Sequence, residues 1–347
     1  MCLTLWPAES ISGIHLQRFE RMRLMKKKTS RIILGSILAA AAAGSFGMIK
    51  LFKDVIVRKE EEKEPLAASN SQEEQSRIAL WRQCNAWLNE QPCEKVSIES
   101  FDGLTLKGEF FKGEGEPKST VLLVHGYRCD RRREYAPIAS FLIQSGYNVL
   151  MVDDRAHGES EGRYIGFGCL DREDCYRWVR YLNQRFDGKQ NLFLHGISMG
   201  AATVLMTSGL NLPGSVKGIV ADCGFTTPSD QFVHILKKNG LGCFRKGVLA
   251  VTGWICKKTA GYGFDDCSAV ESVSRSKVPI FIIHGTSDDF VPTRMAKEIY
   301  QACPGKKELW LVEGAAHARS YYHSTEEYQQ RMLAFFNECL KGDAHEN

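Results

Sequence analysis

A serine held between two glycines is the first place in this sequence where chemistry could occur. Residues 192–200 read LFLHGISMG, so an apolar run ends in a G-x-S-x-G motif, and the helical pattern AATVLMTSG follows. A nucleophilic serine on a sharp strand-to-helix turn needs glycine neighbours, because a Cβ there would clash. The start of the helix favours developing negative charge. The sequence therefore predicts Ser198 as a nucleophile.

A serine hydroxyl needs a general base, and the base needs a carboxylate that fixes its tautomer. In this strand–turn–helix context the partners follow the serine in the order acid, then histidine. We predict His317, in EGAAHARS, as the base, with His323 as its rival. The run HGTSDDFVP offers Asp288 and the adjacent Asp289 as the acid, and Asp222, one strand earlier, is a distant alternative.

The tetrahedral intermediate of acyl transfer needs two donors aimed at its oxyanion. In this architecture they are the main-chain N–H groups of the residue after the nucleophile and of a residue after an early strand. We predict that Met199 and Tyr127, which follows His125-Gly126, supply them.

These residues need elements that bring them together. Apolar runs predict strands at residues 119–126, 148–154, 191–196, 216–224, 278–285 and 307–314, and helical patterns lie between most of them. Continuous apolar strands that alternate with helices indicate a parallel sheet covered on both faces. Ligands bind at the carboxyl ends of such strands, which is where the candidate residues occur.

Several of these motifs together resemble a known family. The segments VHGYRCD, DDRAHGESEGRYIGFG, LHGISMGA, ADCGFTTP, HGTSDDFVP and GAAHARS resemble the α/β-hydrolase fold superfamily over about residues 95–340, and specifically the membrane-anchored bacterial hydrolases of the serine aminopeptidase-like (S33-type) group. The resemblance implies an α/β-hydrolase fold with a mostly parallel eight-stranded sheet, helices on both faces, a small helical cap, a Ser-His-Asp triad and no cofactor. The family spacing G-x-x-D-x-x-V-P falls on Asp288. We interpret Arg155 and His157, in a family loop, as structural.

The N-terminal part of the chain has a different composition. Residues 1–31 are basic, residues 32–49 carry no charge and the apolar stretch continues to residue 52. This layout predicts an uncleaved membrane anchor at 32–52, although Ala41 and Ala43 also satisfy a cleavage pattern. The excess of basic residues before the anchor places the catalytic domain outside the cytoplasm. The charged residues 53–76 predict a solvated linker, followed by a hydrolase domain at 77–342.

Two segments could shape the substrate site. About fifty residues separate the strands that end at 224 and begin at 278, which predicts a cap insertion at about 225–272. Its residues 237–258 interleave six basic residues with apolar ones and offer an acyl pocket, basic contacts to anionic lipid, or only a solvated face over a packed helix. The run RCDRRRE, residues 128–134, is either a solvated loop or a site for an anionic substrate group, which a substitution of Arg131 would test.

Composition excludes other classes of function. The net charge of +4 is modest and concentrated near the N-terminus, which does not suggest a nucleic-acid partner. The twelve cysteines are scattered without a C-x-x-C pair, so we expect mostly free thiols and no metal site, with Cys169–Cys175 and Cys256–Cys267 as possible disulfides in an exported domain.

The sequence thus predicts a membrane-tethered serine hydrolase that cleaves carboxylic esters of a small-molecule acyl substrate through an acyl-enzyme on Ser198. Amide cleavage of the aminopeptidase type and acyl transfer to an alcohol or amine are alternatives that use the same three side chains. A catalytically silent binding module is a further alternative. Oligomeric state and acyl-chain preference do not follow from the sequence.

Overall fold

A computed structural model describes residues 45–59, 71–117 and 119–342. Eight strands form one sheet in the order β1-β2-β4-β3-β5-β6-β7-β8. The strands are β1 Cys93–Glu99, β2 Thr105–Phe111, β3 Thr120–Val124, β4 Asn148–Val152, β5 Leu192–Ile197, β6 Val216–Asp222, β7 Ile280–Gly285 and β8 Lys307–Val312. The hairpin β1–β2 is antiparallel and β2 lies antiparallel to β4, whereas the other neighbouring strands are parallel. The predicted eight-stranded, mostly parallel sheet is confirmed.

Helices cover the two faces of the sheet. They are α1 Ser45–Ile56, α2 Gln72–Glu90, α3 Arg131–Gln144, α4 Asp171–Arg185, α5 Met199–Thr207, α6 Pro228–Lys238, α7 Arg245–Thr259, α8 Ala269–Val273, α9 Arg294–Ala302, α10 Ser320–His323 and α11 Thr325–Gly342. Successive residues of β3 point to opposite faces, so Leu122 joins the core under α4 and α5, while Leu123 joins the core under α3 and α11. Both residues are fully buried.

The cap consists of α6, a short 3₁₀ turn at Gly242–Phe244, and α7. It lies between β6 and α8, inside the segment predicted as an insertion. Helix α8 packs on α5 and α9 and so belongs to the main domain. The cap therefore stands above the carboxyl ends of β5, β6 and β7.

The start of the described chain differs from the prediction. Residues 53–56, expected in a solvated linker, continue α1, which packs on α7 of the cap. Phe52 and Ile56 are buried, and Val57 pairs with Tyr164 in an isolated β-bridge. The guanidinium of Arg58 donates to the main-chain carbonyls of Gly158 and Ser160. This segment is attached to the domain because its apolar side chains have a protein surface to bury against.

The predicted membrane segment, residues 32–52, lies mostly outside the described residues. Its last part, residues 45–52, belongs to α1 and contacts protein. Within the described ranges, we find no helix with the length and apolar character needed to cross a bilayer. The predicted linker also ends early, since α2 begins at Gln72.

A disulfide joins Cys169, just before α4, to Cys267, just before α8. Neither disulfide suggested by the sequence is formed, because Cys175 and Cys256 are buried free thiols. The bond links the main domain to the end of the cap insertion.

Candidate active site

Ser198 occupies a strained turn between β5 and α5. Its φ of 56° lies in the left-handed region that residues with a side chain rarely adopt. A Cβ on Gly196 would overlap the main-chain oxygen of Gly200, and a Cβ on Gly200 would overlap that of Val124. Glycine is thus required on both sides of the serine, which is the physical reason for the motif.

The turn brings the predicted residues into one hydrogen-bonded chain. The Ser198 Oγ lies 2.8 Å from Nε2 of His317. Nδ1 of His317 lies 2.7 Å from Oδ2 of Asp288. Nδ1–H therefore donates to the carboxylate, which leaves Nε2 free to accept the serine proton. The loops after β5, β7 and β8 supply the three side chains.

Asp288 is held in its ionised form. Burial by itself would raise the pKa of Asp288, but hydrogen bonds from His284, from His317 and from the main chain of Val291 together hold this pKa well below its usual value. Its Oδ1 accepts from the N–H groups of Phe290 at 2.9 Å and Val291 at 2.8 Å. The carboxylate can therefore orient His317 and stabilise its positive charge.

Tyr127 and Met199, the predicted oxyanion donors, line the same cavity as Ser198. Among the described residues, no acceptor is hydrogen-bonded to the N–H of Tyr127 or of Met199. Met199 is the first residue of α5 and is buried. Because unpaired N–H groups are rare in protein interiors, these two are suited to an oxyanion.

Two buried histidines brace the loop that carries Tyr127. Nε2 of His125 accepts from the N–H of Asp154 at 3.0 Å, and Nε2 of His157 accepts from the N–H of Arg128 at 3.1 Å. Each ring must be neutral at that nitrogen in order to accept. Burial, together with the nearby His125, lowers the pKa of His157 to about 3. These rings fix the backbone beside the donor of Tyr127.

Arg155, the other residue of that loop, also has a structural environment. Its guanidinium is buried and forms ion pairs with Asp174 at 2.6 Å and Asp102 at 3.0 Å. The side chain of Arg155 therefore lies outside the serine site, in agreement with the structural role interpreted from the sequence.

The rival candidates lie elsewhere. His323 is exposed and contacts the hydroxyl of Ser324. Asp289 forms an ion pair with Lys238 of the cap at 2.7 Å. Asp222 is buried and accepts from Ser320, and burial raises the pKa of Asp222 to about 6. No side chain of the three is hydrogen-bonded to the serine or to His317, although the main-chain carbonyl of Asp222 accepts from the N–H of Ser198 at 2.8 Å.

A hydrophobic cavity of about 300 Å³ opens from Ser198 beneath the cap. We call it the acyl pocket. Its walls include Leu51, Phe52 and Val55 from α1, and Phe232, Val248 and Thr252 from the cap. The sequence analysis missed the contribution of α1. The signal was present, because Met48, Leu51, Phe52, Val55 and Ile56 repeat with the spacing of one helical face.

A second hollow, of about 230 Å³, opens on the other side of Ser198. We call it the polar cleft. His317 lines it, together with the arginines Arg77, Arg128, Arg133 and Arg319. Arg131, the residue singled out from the sequence, does not line it.

Arg131 is the first residue of α3, and its side chain is buried. It forms ion pairs with Asp153, Glu109 and Glu159. The expectation that Arg131 binds substrate is therefore wrong, because its charge is already paired inside the protein.

One group of side chains has the spacing of a metal site. Donor atoms of Cys223, Asp288 and His317 lie within 4.8 Å of one another. Burial raises the pKa of the Cys223 thiol, whereas a metal ligand must be a thiolate. Asp288 and His317 already bond to each other. The donor set therefore does not fit a metal ion.

Comparisons with known proteins give one family match, similar relatives and similar folds. The sequence pattern of the serine aminopeptidase S33 family matches residues 115–259. The uncharacterized protein YqkD of Bacillus subtilis is 26% identical over 243 residues, which cover 69% of this chain and 78% of YqkD. The esterase Pf2001 of Pyrococcus furiosus superposes with a TM-score of 0.57 at 25% identity, over 72% of this chain and 93% of the esterase.

The chain has the α/β-hydrolase fold. Esterase EaEST of Exiguobacterium antarcticum shares the fold as well, with a TM-score of 0.52 at 16% identity, over 70% of this chain and 99% of that esterase. The S33 family match and the esterase Pf2001 support a serine hydrolase of the esterase or S33 type.

Proposed function

We propose that this hydrolase cleaves carboxylic esters with a hydrophobic acyl group through an acyl-enzyme on Ser198. The single observation that carries the proposal is the hydrogen-bonded chain from Ser198 through His317 to Asp288, next to two main-chain donors without acceptors. A non-catalytic binding module does not require a strained serine that is activated by a histidine and a carboxylate.

The steps follow from the geometry. Ser198 Oγ attacks the carbonyl carbon while Nε2 of His317 takes its proton. The N–H groups of Tyr127 and Met199 bind the oxyanion, and Asp288 stabilises the protonated imidazole. His317 then gives the proton to the leaving alcohol. Water, activated by the same imidazole, releases the acid and restores the serine.

The acyl pocket supports esters over peptides as substrates. Its walls are apolar over the length of the cavity, apart from Ser198, Gln231 and the hydroxyls of Tyr127 and Thr252. A group the size of a water molecule occupies about 30 Å³, so 300 Å³ accommodates a chain of about ten carbon atoms. A peptide in such a pocket would leave its polar main-chain groups without partners.

Labelling and turnover test the proposal together. A fluorophosphonate should label the wild-type protein and not Ser198→Ala, whereas Ser274→Ala, which changes an exposed serine, should be labelled normally. Wild-type protein that has not been treated with the probe should hydrolyse p-nitrophenyl decanoate faster than aminoacyl p-nitroanilides. Equal labelling of Ser198→Ala would refute the nucleophile, and faster amide cleavage would favour the aminopeptidase alternative. Diversion of the acyl group to added alcohol would identify an acyltransferase.

We also propose that the catalytic domain works outside the cytoplasm, next to a membrane. The disulfide between Cys169 and Cys267 supports an oxidising compartment. The exposed apolar side chains of Ile49 and Trp254 lie along a surface groove with the basic Lys53, as a membrane-facing surface requires. Fractionation of cells that express the full chain, with protease added to intact spheroplasts, would test this. A soluble, protease-protected protein would refute it.

A further inference from the structure

The acyl pocket and the polar cleft meet at Ser198, which lines both. His317 lines only the polar cleft. Under the proposed function, on which this inference rests, His317 must protonate the oxygen of the leaving alcohol. The alcohol therefore lies in the polar cleft while the acyl chain lies in the acyl pocket.

The polar cleft carries an excess of positive charge. Its lining includes four arginines and one acidic residue, Glu134. The carboxylate of Glu134 accepts from the N–H of Gly126 at 3.3 Å. An alcohol that enters this cleft therefore meets more cationic than anionic groups.

Two of the four arginines are already paired. Arg77 forms an ion pair with Glu74, whose carboxylate also lies 3.6 Å from Arg319. Both guanidinium groups line the cleft, and the carboxylate of Glu74 partly neutralises their charge. They contribute less to the recognition of a substrate.

The other two arginines keep their charge available. The guanidinium of Arg128 donates to the main-chain carbonyl of Asp54 and lies 4.9 Å from the ring centroid of Tyr127, so neither contact neutralises it. Within the described ranges, Arg133 has no carboxylate at ion-pair distance. Both side chains are exposed at the cleft, where an incoming anion can reach them.

We propose that the substrate is an ester between a hydrophobic acyl chain of about ten carbons and an alcohol that carries an anionic group, a phosphate or a carboxylate. Arg128 and Arg133 bind the anion, because a guanidinium offers paired N–H donors that match both groups. The bond that breaks joins the acyl carbon to the alcohol oxygen. The alcohol leaves with the proton from His317, and water supplies the hydroxyl group of the released acid.

Three soluble esters of decanoic acid, assayed below their micelle concentrations, test the charge of the alcohol. They are 1-decanoylglycerol 3-phosphate, which is anionic, 1-decanoylglycerol, which is neutral, and decanoylcholine, which is cationic. We expect kcat/KM to fall in that order. Decanoylglycerate, an anionic ester with a carboxylate, distinguishes the two anions: a rate close to that of the phosphate ester means that charge is sufficient.

Substitutions of the two arginines then test whether they cause the preference for an anionic alcohol. The ratio of kcat/KM for the phosphate ester to that for the neutral ester should fall about three- to fivefold in Arg128→Ala and in Arg133→Ala, and about tenfold in the double variant, as expected for exposed ion pairs. Arg180→Ala removes an exposed arginine of α4 outside the cleft and should leave the ratio unchanged. Added salt should lower the wild-type ratio by screening.

Two results would overturn the inference: a wild-type preference for the neutral or cationic ester, or a ratio that Arg128→Ala and Arg133→Ala leave unchanged. Either result would overturn the inference even though fluorophosphonate still labels Ser198. Loss of labelling in the wild-type protein would instead refute the proposed function.

Discussion

Phe52 closes the acyl pocket, and its removal should abolish the limit on acyl-chain length. The side chain lines the pocket on one side and a surface groove of about 420 Å³ on the other. In Phe52→Ala the two spaces should join. An acyl chain longer than the pocket could then continue along the groove instead of ending against an aromatic ring.

The magnitude follows from the burial of methylene groups. Each buried CH₂ contributes about 0.8 kcal/mol, which is about fourfold in kcat/KM. For the wild type, kcat/KM should rise with chain length up to about ten carbons and then level off. If the six further methylenes of a hexadecanoyl ester bury half their surface in Phe52→Ala, the ratio of kcat/KM for hexadecanoyl to decanoyl ester should increase about 50-fold.

A series of p-nitrophenyl esters from acetate to hexadecanoate measures this effect. Phe244→Ala is the control, since Phe244 is an exposed cap residue outside the pocket. Thermal unfolding should verify that Phe52→Ala is folded, because loss of a buried aromatic side chain costs about 3–5 kcal/mol. A chain-length profile identical to that of the wild type would refute the role of α1 as a wall of the pocket.

Three further predictions concern the charged groups and the disulfide. Asp288→Asn should lower kcat about a thousandfold or more with little loss of stability, because the amide favours the wrong tautomer of the imidazole; a loss under tenfold, measured with p-nitrophenyl decanoate, would contradict this. Burial raises the pKa of Asp222 from 3.8 to about 6, so folding favours the protonated acid, and the contribution of Asp222 to stability should fall as the pH rises through this range. Asp222→Asn should therefore be more stable than the wild type by up to about 3 kcal/mol above pH 6 and equally stable below about pH 4. Urea unfolding at both pH values measures this difference, and a variant less stable than the wild type above pH 6 would contradict the prediction. Peptide mapping without reductant should recover Cys169 linked to Cys267, and replacing both with serine should lower the free energy of unfolding by about 2–4 kcal/mol, whereas Cys243→Ser, at an exposed free thiol, should have no effect.

The chemistry could be predicted from the sequence because it depends on local backbone geometry. The turn around Ser198 tolerates only glycine at two neighbouring positions, so the motif appears in the sequence itself. Parallel strands then bring the loops of Asp288 and His317 to the same edge of the sheet. The positions of these loops after predicted strands narrowed the candidates, and the family spacing G-x-x-D-x-x-V-P then selected Asp288 over Asp289.

The surroundings of the site could not be predicted, because they depend on contacts between distant parts of the chain. An apolar run such as residues 45–56 has the same composition whether it faces lipid or the wall of a pocket. Arg131 and Arg133 have the same residue type and lie in the same turn of α3, and the orientation of this helix decides that Arg131 pairs with Asp153 while Arg133 reaches the cleft. The partner of Cys169 lies 98 residues away, and local spacing does not indicate it.

The attachment of α1 has a consequence for biosynthesis. This helix is made before the other described elements, yet it docks on the segment around Tyr164 and on Arg245–Thr259, both more than a hundred residues downstream. Contacts so distant along the chain form late. While the ribosome completes the cap, the apolar face of α1 has no protein surface to cover it, and a chaperone or a lipid surface would keep the nascent chain from aggregating during that interval.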